Sequence, residues 1–502
     1  MKKMPLGFLA LFVAAFAETI SLGDTANGTG GTSALAVPGE SKMLTPLETI
    51  LQKYHVPALG GAIVDSSGVK LISIAGVRKS GETVGVTIDD VWHLGSDTKA
   101  VTATMIAELV EQNKLSWDSN LAAIFPDLEL TGQTGEITLL ELLTHRAGLP
   151  HDTDWGAISK TGSLVEQRKA AVAKLATIKL MSIPGARYSY SNWGFVIAGS
   201  MAEQVTGKSY EELMQTLIFG PMQMKKAGFG AGGTPGKLDE PWSHGPDGTP
   251  RQYDNPLVLA PAGCMHCSLE DWGKFISDQL RGAEGKPALL KPESYTRLHS
   301  APFGGTYAPG WTITKPSWGG GDVLGHSGSN GFNWAVVSMA PARDIAILTV
   351  CNSAAPDARA ACNEVADQLL ALSSVPHPSP AQASGAGEVQ QKEAKSGAIP
   401  TADGSAVEIK LDDAHSDPIF GDYTLGMGIK MVISRESGRL FMEIVGPGRP
   451  PQKNELRATS DTEFIVGKGG ARLSFVKGSD GKVTSVILRQ NAAPDQEFPK
   501  AQ

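Results

Sequence analysis

The chain has 502 residues, a formal net charge of -8 at pH 7, 41% hydrophobic residues and 6% aromatic residues. This length favours two domains over one, and the composition is that of an ordinary soluble protein with a sizeable core. An acidic chain of this kind is a poor candidate for binding nucleic acid, so we expect no nucleic-acid partner.

The first 17 residues have the features of a cleavable signal peptide. Two lysines precede an apolar run at 6–16, and residues 15–17 read Ala-Phe-Ala, which fits a signal-peptidase site. Cleavage there would remove two lysines and no acid, so the charge would change from -8 to -10. We predict a periplasmic or secreted protein without a transmembrane domain in the mature chain; the alternative is an uncleaved membrane anchor. Residues 18–42 predict a flexible leader.

Residues 43–373 predict one domain of mixed α/β (α+β) class. The elements follow in this order: a helix at 45–54, a strand-turn-strand unit at 60–74, a mainly helical region to about 230, strands near 310, 333 and 345, and a helix at about 359–373. A helix before a hairpin does not fit a doubly wound fold. The strands from the two ends can instead pair in one antiparallel sheet, with the helical portion packed to one side.

The C-terminal part has a different composition. Residues 374–407 are rich in Pro, Ser, Ala and Gly, which is typical of a linker. Beyond 408 the segments are short and strand-like with turn residues between them, so residues 408–502 predict a small antiparallel β domain, a barrel or a sandwich.

Four cysteines in an exported chain suggest disulfides. Cys351 and Cys362 flank a loop between a strand and a helix, whereas Cys264 and Cys267 lie in one short segment with His266. The sequence does not decide the pairing. A zinc site at the second group is a weaker alternative, because a second pair of ligands at the usual spacing is missing. We therefore expect neither a metal nor another cofactor.

Ser96 and Lys99 form the most informative motif of the chain. Gly95 allows a sharp turn, and a one-sided apolar stripe follows, which predicts a helix that begins at Ser96. The free amides at a helix N-terminus favour a serine oxygen that becomes negative. Lys99 falls on the same helix face one turn later, where a neutral amine could take the serine proton. The alternative is a serine that only caps the helix.

The Ser-x-x-Lys spacing alone has little specificity in this chain. It also occurs at Ser67/Lys70, Ser474/Lys477 and Ser479/Lys482. These three pairs lie in segments with a hairpin pattern, where turn residues join strands of alternating polarity. Only Ser96 precedes a predicted helix.

Two further motifs could meet Ser96 in the folded chain. Tyr190 could relay a proton as phenol or phenolate, and Asn192 could hold Lys99 or bind a substrate amide. The segment around His326 is polar and glycine-rich and leads into a strand. Gly328 there allows close approach to the backbone, and the Ser329 amide could pair with that of Ser96 as an oxyanion hole.

Together these motifs carry a resemblance to a known family. The sequence resembles the class C beta-lactamase-related serine hydrolases, which include beta-lactamases, D-alanyl-D-alanine carboxypeptidases, D-aminopeptidases and family VIII carboxylesterases. The likeness covers about residues 43–373 and rests on these segments in the family's order: Ser96-x-x-Lys99, Leu142-Leu143-Thr144-His145-Arg146-Ala147-Gly148-Leu149, Tyr190-Ser191-Asn192, Pro261-Ala262-Gly263 and Gly325-His326-Ser327-Gly328. Residues 408–495 resemble, more loosely, the lipocalin-like C-terminal domain of some members.

The resemblance implies a beta-lactamase/transpeptidase-like fold and a serine acyl-enzyme. Ser96 would be the nucleophile, Lys99 and Tyr190 the proton-transfer pair, and the amides of Ser96 and Ser329 the oxyanion hole. Asn192, His326, Gly328 and Ser329 would contact substrate, with His326 at the rim. The expected partner is a small ester, a D-residue peptide or a beta-lactam, and the C-terminal domain could support oligomers.

One departure from the family bears on the substrate. Efficient class C beta-lactamases carry Lys-Thr-Gly where this chain has His326-Ser327-Gly328, and that lysine helps to bind the carboxylate of beta-lactams. A histidine with an ordinary pKa near 6.5 is mostly neutral at pH 7, which favours short esters or D-residue peptides and predicts more nitrocefin activity as the pH falls. A non-catalytic binding protein of the same fold remains the alternative from another functional class, although a pure binder needs no Lys99.

Overall fold

The computed structural model describes residues 33–35, 47–130, 132–160 and 162–373, and then 419–426, 429–436, 439–445, 452–459, 462–466, 471–477, 482–489 and 496–500. The predicted signal peptide and the predicted linker lie outside these residues. Thirteen strands are described before residue 374: β1 (Ser33–Leu35), β2 (Ala58–Asp65), β3 (Gly68–Gly76), β4 (Trp92–His93), β5 (Gly228–Phe229), β6 (Ser243–His244), β7 (Pro250–Arg251), β8 (Met265–Cys267), β9 (Tyr307–Ala308), β10 (Trp311–Thr314), β11 (Val323–Gly328), β12 (Trp334–Ala340) and β13 (Ile345–Cys351).

Thirteen helices lie in the same described part of the chain. They are α1 (Leu47–Tyr54), α2 (Thr98–Glu111), α3 (Leu121–Ile124), α4 (Gly132–Glu136), α5 (Leu139–Leu143), α6 (Trp155–Ile158), α7 (Leu164–Ala173), α8 (Asn192–Thr206), α9 (Tyr210–Met214), α10 (Ala260–Gly263), α11 (Leu269–Ala283), α12 (Pro292–Leu298) and α13 (Ala358–Leu372). A capping box begins α5: the Thr138 hydroxyl accepts from the Glu141 amide, and the Glu141 carboxylate accepts from the Thr138 amide.

An antiparallel sheet of eight strands, in the order β1-β3-β2-β13-β12-β11-β10-β9, is the centre of this part. The N-terminal hairpin of β2 and β3 pairs with β13, where Ala62 lies opposite Leu348. The prediction that strands from the two ends share one sheet is therefore confirmed. It follows that residues nearly 300 positions apart in sequence meet at the middle of the sheet.

The central strand β13 is buried on both faces. Ile345 and Ile347 face a core that includes α1 and α13, whereas Leu348 and Val350 face the larger core that includes α2, α8 and α11. Each such side chain contributes about 1.5 to 3 kcal/mol when it leaves water. A strand with two apolar faces thus fixes the sheet between two helical layers.

The structure changes three predictions. Residues 33–35, within the predicted flexible leader, form strand β1 against β3. The Gly325–Gly328 motif lies on strand β11 itself and not at the entry to a strand. Helix α2 is buried on all sides along its first ten residues, so the predicted one-sided stripe is wrong. Its threonines are buried because their hydroxyls find acceptors; Thr104, for example, donates to Ala100 O.

The predicted disulfides are absent: all four cysteines are free, buried thiols. Cys351 and Cys362 lie side by side, at the end of β13 and in α13, and the Cys362 thiol together with burial raises the pKa of Cys351. The zinc alternative is also not supported by the placement of Cys264, His266 and Cys267. Within the described residues, no three metal-binding side chains lie together.

The described C-terminal residues form a separate antiparallel sheet of eight sequential strands: β14 (Gly421–Gly426), β15 (Ile429–Glu436), β16 (Arg439–Val445), β17 (Gln452–Ala458), β18 (Glu463–Val466), β19 (Ala471–Lys477), β20 (Val483–Arg489) and β21 (Gln496–Pro499). A bridge between Tyr423 and Lys500 joins its two ends, so the sheet closes like a barrel around Phe464 and Phe475. The predicted small β-barrel is confirmed. In the parts of the chain that the structure describes, no helix has both the length and the apolar character that a membrane span requires.

Candidate active site

Ser96 lies in a single turn of 3-10 helix, Gly95–Asp97, directly before α2. Every other residue from Val91 to Ala100 is buried, and only Ser96 is partly exposed. Gly95 has a φ of 50°, and a Cβ there would lie 2.3 Å from the Ser329 nitrogen. The turn is thus open only at its serine, and it packs against the end of β11 as closely as glycine permits.

The second close contact is made by Gly328, the last residue of β11. A Cβ at this position would lie 1.8 Å from Leu94 O and 2.8 Å from Ser96 N. Two glycines therefore bring the backbone at Ser96 and the backbone at Ser329 side by side. The sequence-based hypothesis of an oxyanion hole requires these two amides to be neighbours, and the structure places them so.

Lys99 projects from the first turn of α2 into a site that water does not reach. Its Nζ lies 3.0 Å from Ser96 Oγ, 2.8 Å from Asn192 Oδ1 and 2.7 Å from Ala262 O. Burial lowers the pKa of Lys99 to about 7, although negative charge nearby partly opposes this. The amine can therefore exist as a free base near neutral pH, which an exposed lysine cannot do.

Tyr190 donates a hydrogen bond of 2.9 Å to Ser96 Oγ from the loop before α8. Burial raises its pKa, so the side chain is a phenol and not a phenolate. The His145 ring stacks on Tyr190 with centroids 4.2 Å apart, and His145 Nδ1 accepts from the Ser191 amide. His145 has a φ of 58°, a strained conformation for a histidine, and it fixes the segment that carries Tyr190 and Asn192.

Asn192 is held from both ends of its amide. Its Oδ1 accepts from Lys99, and its Nδ2 donates to Asp152 at 3.3 Å. Asp152 also accepts from Trp155 Nε1 at 2.7 Å and from His151. Burial alone would raise the pKa of Asp152. The His151 ring nearby and the hydrogen bonds from His151, Trp155 and Asn192 outweigh burial, so the pKa is lowered. The carboxylate behind Asn192 is thus ionised.

His326 does not stand at the rim, as the sequence had predicted, but is buried on β11. Its Nε2 accepts from Tyr307 OH at 3.1 Å, and its Nδ1 lies 3.0 Å from Ser327 O. Burial, together with the nearby Lys99, lowers the pKa of His326 to about 3. The expectation of an ordinary histidine pKa is therefore wrong, and His326 is a neutral donor and acceptor across the physiological range.

A buried bridge links the two backbone segments that meet at Ser96. His93 accepts the Gly95 amide at 3.0 Å and bonds Asp254 at 2.9 Å, and Asp254 accepts from Asn330 Nδ2 at 3.1 Å. The bridge runs from the residue before Ser96 to the residue after Ser329. It explains how the two loops keep their spacing, because a buried carboxylate must satisfy its acceptors on both.

The alternative Ser-x-x-Lys pairs have different surroundings. Ser67 and Lys70 form a hydrogen bond on an exposed turn, where Lys70 is also paired with Asp65 at 3.1 Å. Ser474 is buried on β19, whereas Lys477 is exposed. Ser479 lies outside the described residues. Contact alone does not activate a serine, because the lysine must also be buried.

All seven predicted site residues lie around the Ser96 turn: Ser96, Lys99, Tyr190, Asn192, His326, Gly328 and Ser329. Sequence reasoning missed four residues that form hydrogen bonds with the site residues or with their neighbours in the chain: Asp152, His93, Asp254 and Tyr307. Only His93 could have been recognised from the sequence, because it stands three residues before Ser96. The others are single residues of common types with no characteristic spacing.

Comparisons with known proteins agree with this geometry. Residues 46–371 match the protein-family model described as Beta-lactamase. An unguisins hydrolase of Aspergillus campestris is 25% identical over 330 residues, which cover 60% of this chain and 60% of that protein. The chain thus spans about three-fifths of the length of that curated relative.

Two solved structures match most of the chain, including the C-terminal part. SurE with D-Leu has a TM-score of 0.64 at 18% identity and covers 91% of this chain and 97% of its own. The octameric penicillin-binding protein homologue from Pyrococcus abyssi has a TM-score of 0.57 at 19% identity, with 90% and 99% covered. At these identities the likeness shows the fold.

Proposed function

The chain belongs to the beta-lactamase family of serine hydrolases, and from that premise we propose that it is an exported acyl-transfer hydrolase with Ser96 as nucleophile. The substrates proposed are short esters or the amide bonds of D-residue peptides. The observation that carries the proposal is the set of three hydrogen-bonded neighbours around a buried Lys99 with a lowered pKa.

The partners of Lys99 determine where its lone pair points. Ala262 O and Asn192 Oδ1 are both acceptors, so they take the two N–H groups of a neutral amine. The lone pair of Lys99 is then left for the third neighbour, Ser96 Oγ. Ser96 can donate its proton to Lys99 while it accepts from Tyr190, which is the arrangement of a nucleophile with its base.

The proposed acylation uses each of these groups once. Ser96 Oγ attacks the substrate carbonyl carbon, and its proton passes to Lys99. The amides of Ser96 and Ser329 stabilise the oxyanion. When the bond to the leaving group breaks, the phenol of Tyr190 protonates that group and regains a proton from Lys99. Water then attacks the ester carbonyl carbon of acylated Ser96 and gives a proton to the same pair. When the ester bond breaks, Ser96 Oγ takes this proton back from the pair and the acid is released.

The preference for neutral substrates is supported by the charges around the site. His326 is neutral, and Arg146 makes contacts of 3.4 Å to the carbonyl oxygens of Gly185 and Gly304. A carboxylate such as that of a beta-lactam therefore lacks the cation that the class C enzymes provide. The binding of D-Leu by a protein of similar fold supports the D-peptide class.

A panel of p-nitrophenyl butyrate, D-alanyl peptides and nitrocefin tests this preference. We expect kcat/KM for the ester or the peptide to exceed that for nitrocefin by about tenfold or more, because a charge-assisted hydrogen bond is worth about 1.5 to 3 kcal/mol. Since His326 stays neutral, the ratio should be constant from about pH 5 to 8. A nitrocefin value above the ester value, or a ratio that rises as the pH falls, contradicts the proposal.

The C-terminal barrel is proposed to shape access or assembly and not to perform chemistry. Its described strands supply no hydrogen-bonded partner to Ser96 or Lys99. We expect that a chain ending before Pro376 remains soluble and still reacts with a fluorophosphonate at Ser96, as measured by intact mass. A truncated protein with native circular dichroism that fails to acylate would show that the barrel completes the site.

A further inference from the structure

We propose that Asp152 is a positioning residue for the Ser96–Lys99 pair: its carboxylate holds the Asn192 amide in the orientation that accepts from Lys99, and its negative charge is the counter-charge of that amine. This inference rests on the proposed function, since it assigns a role to a residue behind the proposed base. Asp152 has no contact with Ser96, so it would act only through Asn192 and through its charge.

The orientation of Asn192 depends on Asp152. A side-chain amide presents an acceptor at one end and a donor at the other. The Asp152 carboxylate can only accept, so it selects the donor end at 3.3 Å and leaves Oδ1 facing Lys99 at 2.8 Å. If the amide turned over, its NH2 would compete with the Ser96 hydroxyl for the lone pair of Lys99.

Asp152 is itself fixed on its other sides. Trp155 Nε1 donates to Oδ1 at 2.7 Å from the first residue of α6, and His151 bonds Oδ2. The Asp152 side chain is 3% exposed, whereas His151 is half-exposed at the opening. A buried carboxylate with donors on three sides has little freedom to move, so the orientation is passed on to Asn192.

Asp152 has the largest charge effect on Lys99 among the described residues, ahead of Asp97 and Cys264. Among the titratable groups that face the amine in the described chain, burial raises the pKa of Asp97, Cys264 and Tyr190, which favours their neutral forms. Burial also lowers the pKa of the other two, His145 and His326, which are neutral as well.

Asp152 differs from these groups because its pKa is lowered, so it is ionised. Its charge favours the ammonium form of Lys99, against the effect of burial. Removal of this charge should therefore make Lys99 a free base at lower pH, which is the opposite of a general loss of function.

The test compares Asp152→Asn with Asp154→Asn in the full chain. Both variants remove one negative charge from the same loop, but Asp154 caps α6 at the Ala157 amide and does not face Lys99. The readout is the second-order rate of Ser96 acylation by a fluorophosphonate between pH 4.5 and 9, followed by intact mass. In the wild type the rate should rise through an apparent pKa near 7.

For Asp152→Asn we expect this midpoint to move to lower pH by about half a unit or more. The plateau should fall by less than about tenfold, because an asparagine can still accept from Asn192 and Trp155. Asp154→Asn should keep the wild-type midpoint. Asp152→Ser, which is too short for both contacts, should show the same shift with a plateau that is lower by about 10²-fold.

An unchanged midpoint in Asp152→Asn, or a shift to higher pH, overturns the inference while the Ser96 mechanism stands. An equal shift in Asp154→Asn overturns it too, since the effect would then be long-range. If Asp152→Asn does not fold, Asp152→Ser takes its place, and an unchanged or raised midpoint in that variant overturns the inference. A wild-type protein that is not acylated at Ser96 rejects the proposed function and this inference together.

Discussion

Ser96→Ala should abolish covalent labelling by a fluorophosphonate and reduce ester turnover by about 10⁴-fold or more. Ser96 Oγ is the atom that both Lys99 and Tyr190 contact, and it lies on the single opening of an otherwise buried turn. Removal of a hydroxyl from a partly exposed position leaves no large cavity, so the protein should fold and melt as the wild type does.

Ser67→Ala is the matched control for this experiment. Ser67 is also followed by a lysine three residues later and contacts it, but on an exposed turn. We expect labelling and turnover to be unchanged in Ser67→Ala. Undiminished labelling of Ser96→Ala, located at another serine by peptide mapping, would contradict the assignment of the nucleophile.

Replacement of Lys99 should cost about 10²-fold or more in turnover, because a positioned base usually contributes that much. Lys99→Ala leaves a void in a fully buried site, so Lys99→Met, which keeps most of the volume, should separate loss of the base from loss of packing. Both variants should fold, as judged by circular dichroism, and both should lose activity at every pH.

The pH profile gives a second measure of the same residue. Below about pH 7 the Lys99 amine is protonated and has no lone pair for Ser96, so kcat/KM of the wild type should fall as the pH decreases. Lys70→Met is the control, because Lys70 is exposed and ion-paired, and its loss should change neither rate nor profile. Near-normal rates in Lys99→Met would mean that Tyr190 or solvent is the base.

Burial dominates the electrostatics around Lys99, and Asp152 is the carboxylate whose pKa is lowered in spite of it. Burial lowers the pKa of His145 and His326 and raises that of Tyr190 and Asp97, which favours the neutral form of each. Asp97 has the least polar surroundings of these groups, because neither of its carboxyl oxygens has a hydrogen-bond partner among the described residues. In such surroundings one ionised carboxylate has a large effect on the amine, since little solvent screens it.

Local sequence determined the elements and the identities of the reacting residues. The first helix, the β2–β3 hairpin, the helical region, the later strands and the last helix followed from periodicity and turn residues, because these depend only on neighbours in the chain. The short strands β4 to β8 were not predicted. Ser96 differed from the other Ser-x-x-Lys serines because a helix follows it. The resemblance of the motifs to a family then indicated their roles and the fold.

Tertiary structure decided the properties that depend on burial. The sequence could not show that α2 is enclosed on all sides, and this enclosure is what brings the pKa of Lys99 to about 7. It also could not show that His326 is buried and neutral, and this removes the basis of the predicted pH response of substrate preference.

The same holds for Asp152, an ordinary residue of a loop until the fold places Asn192 between it and Lys99. Solvation and the approach of distant side chains are properties of the packed chain. Only the folded structure can therefore fix the charge states on which the proposed chemistry depends.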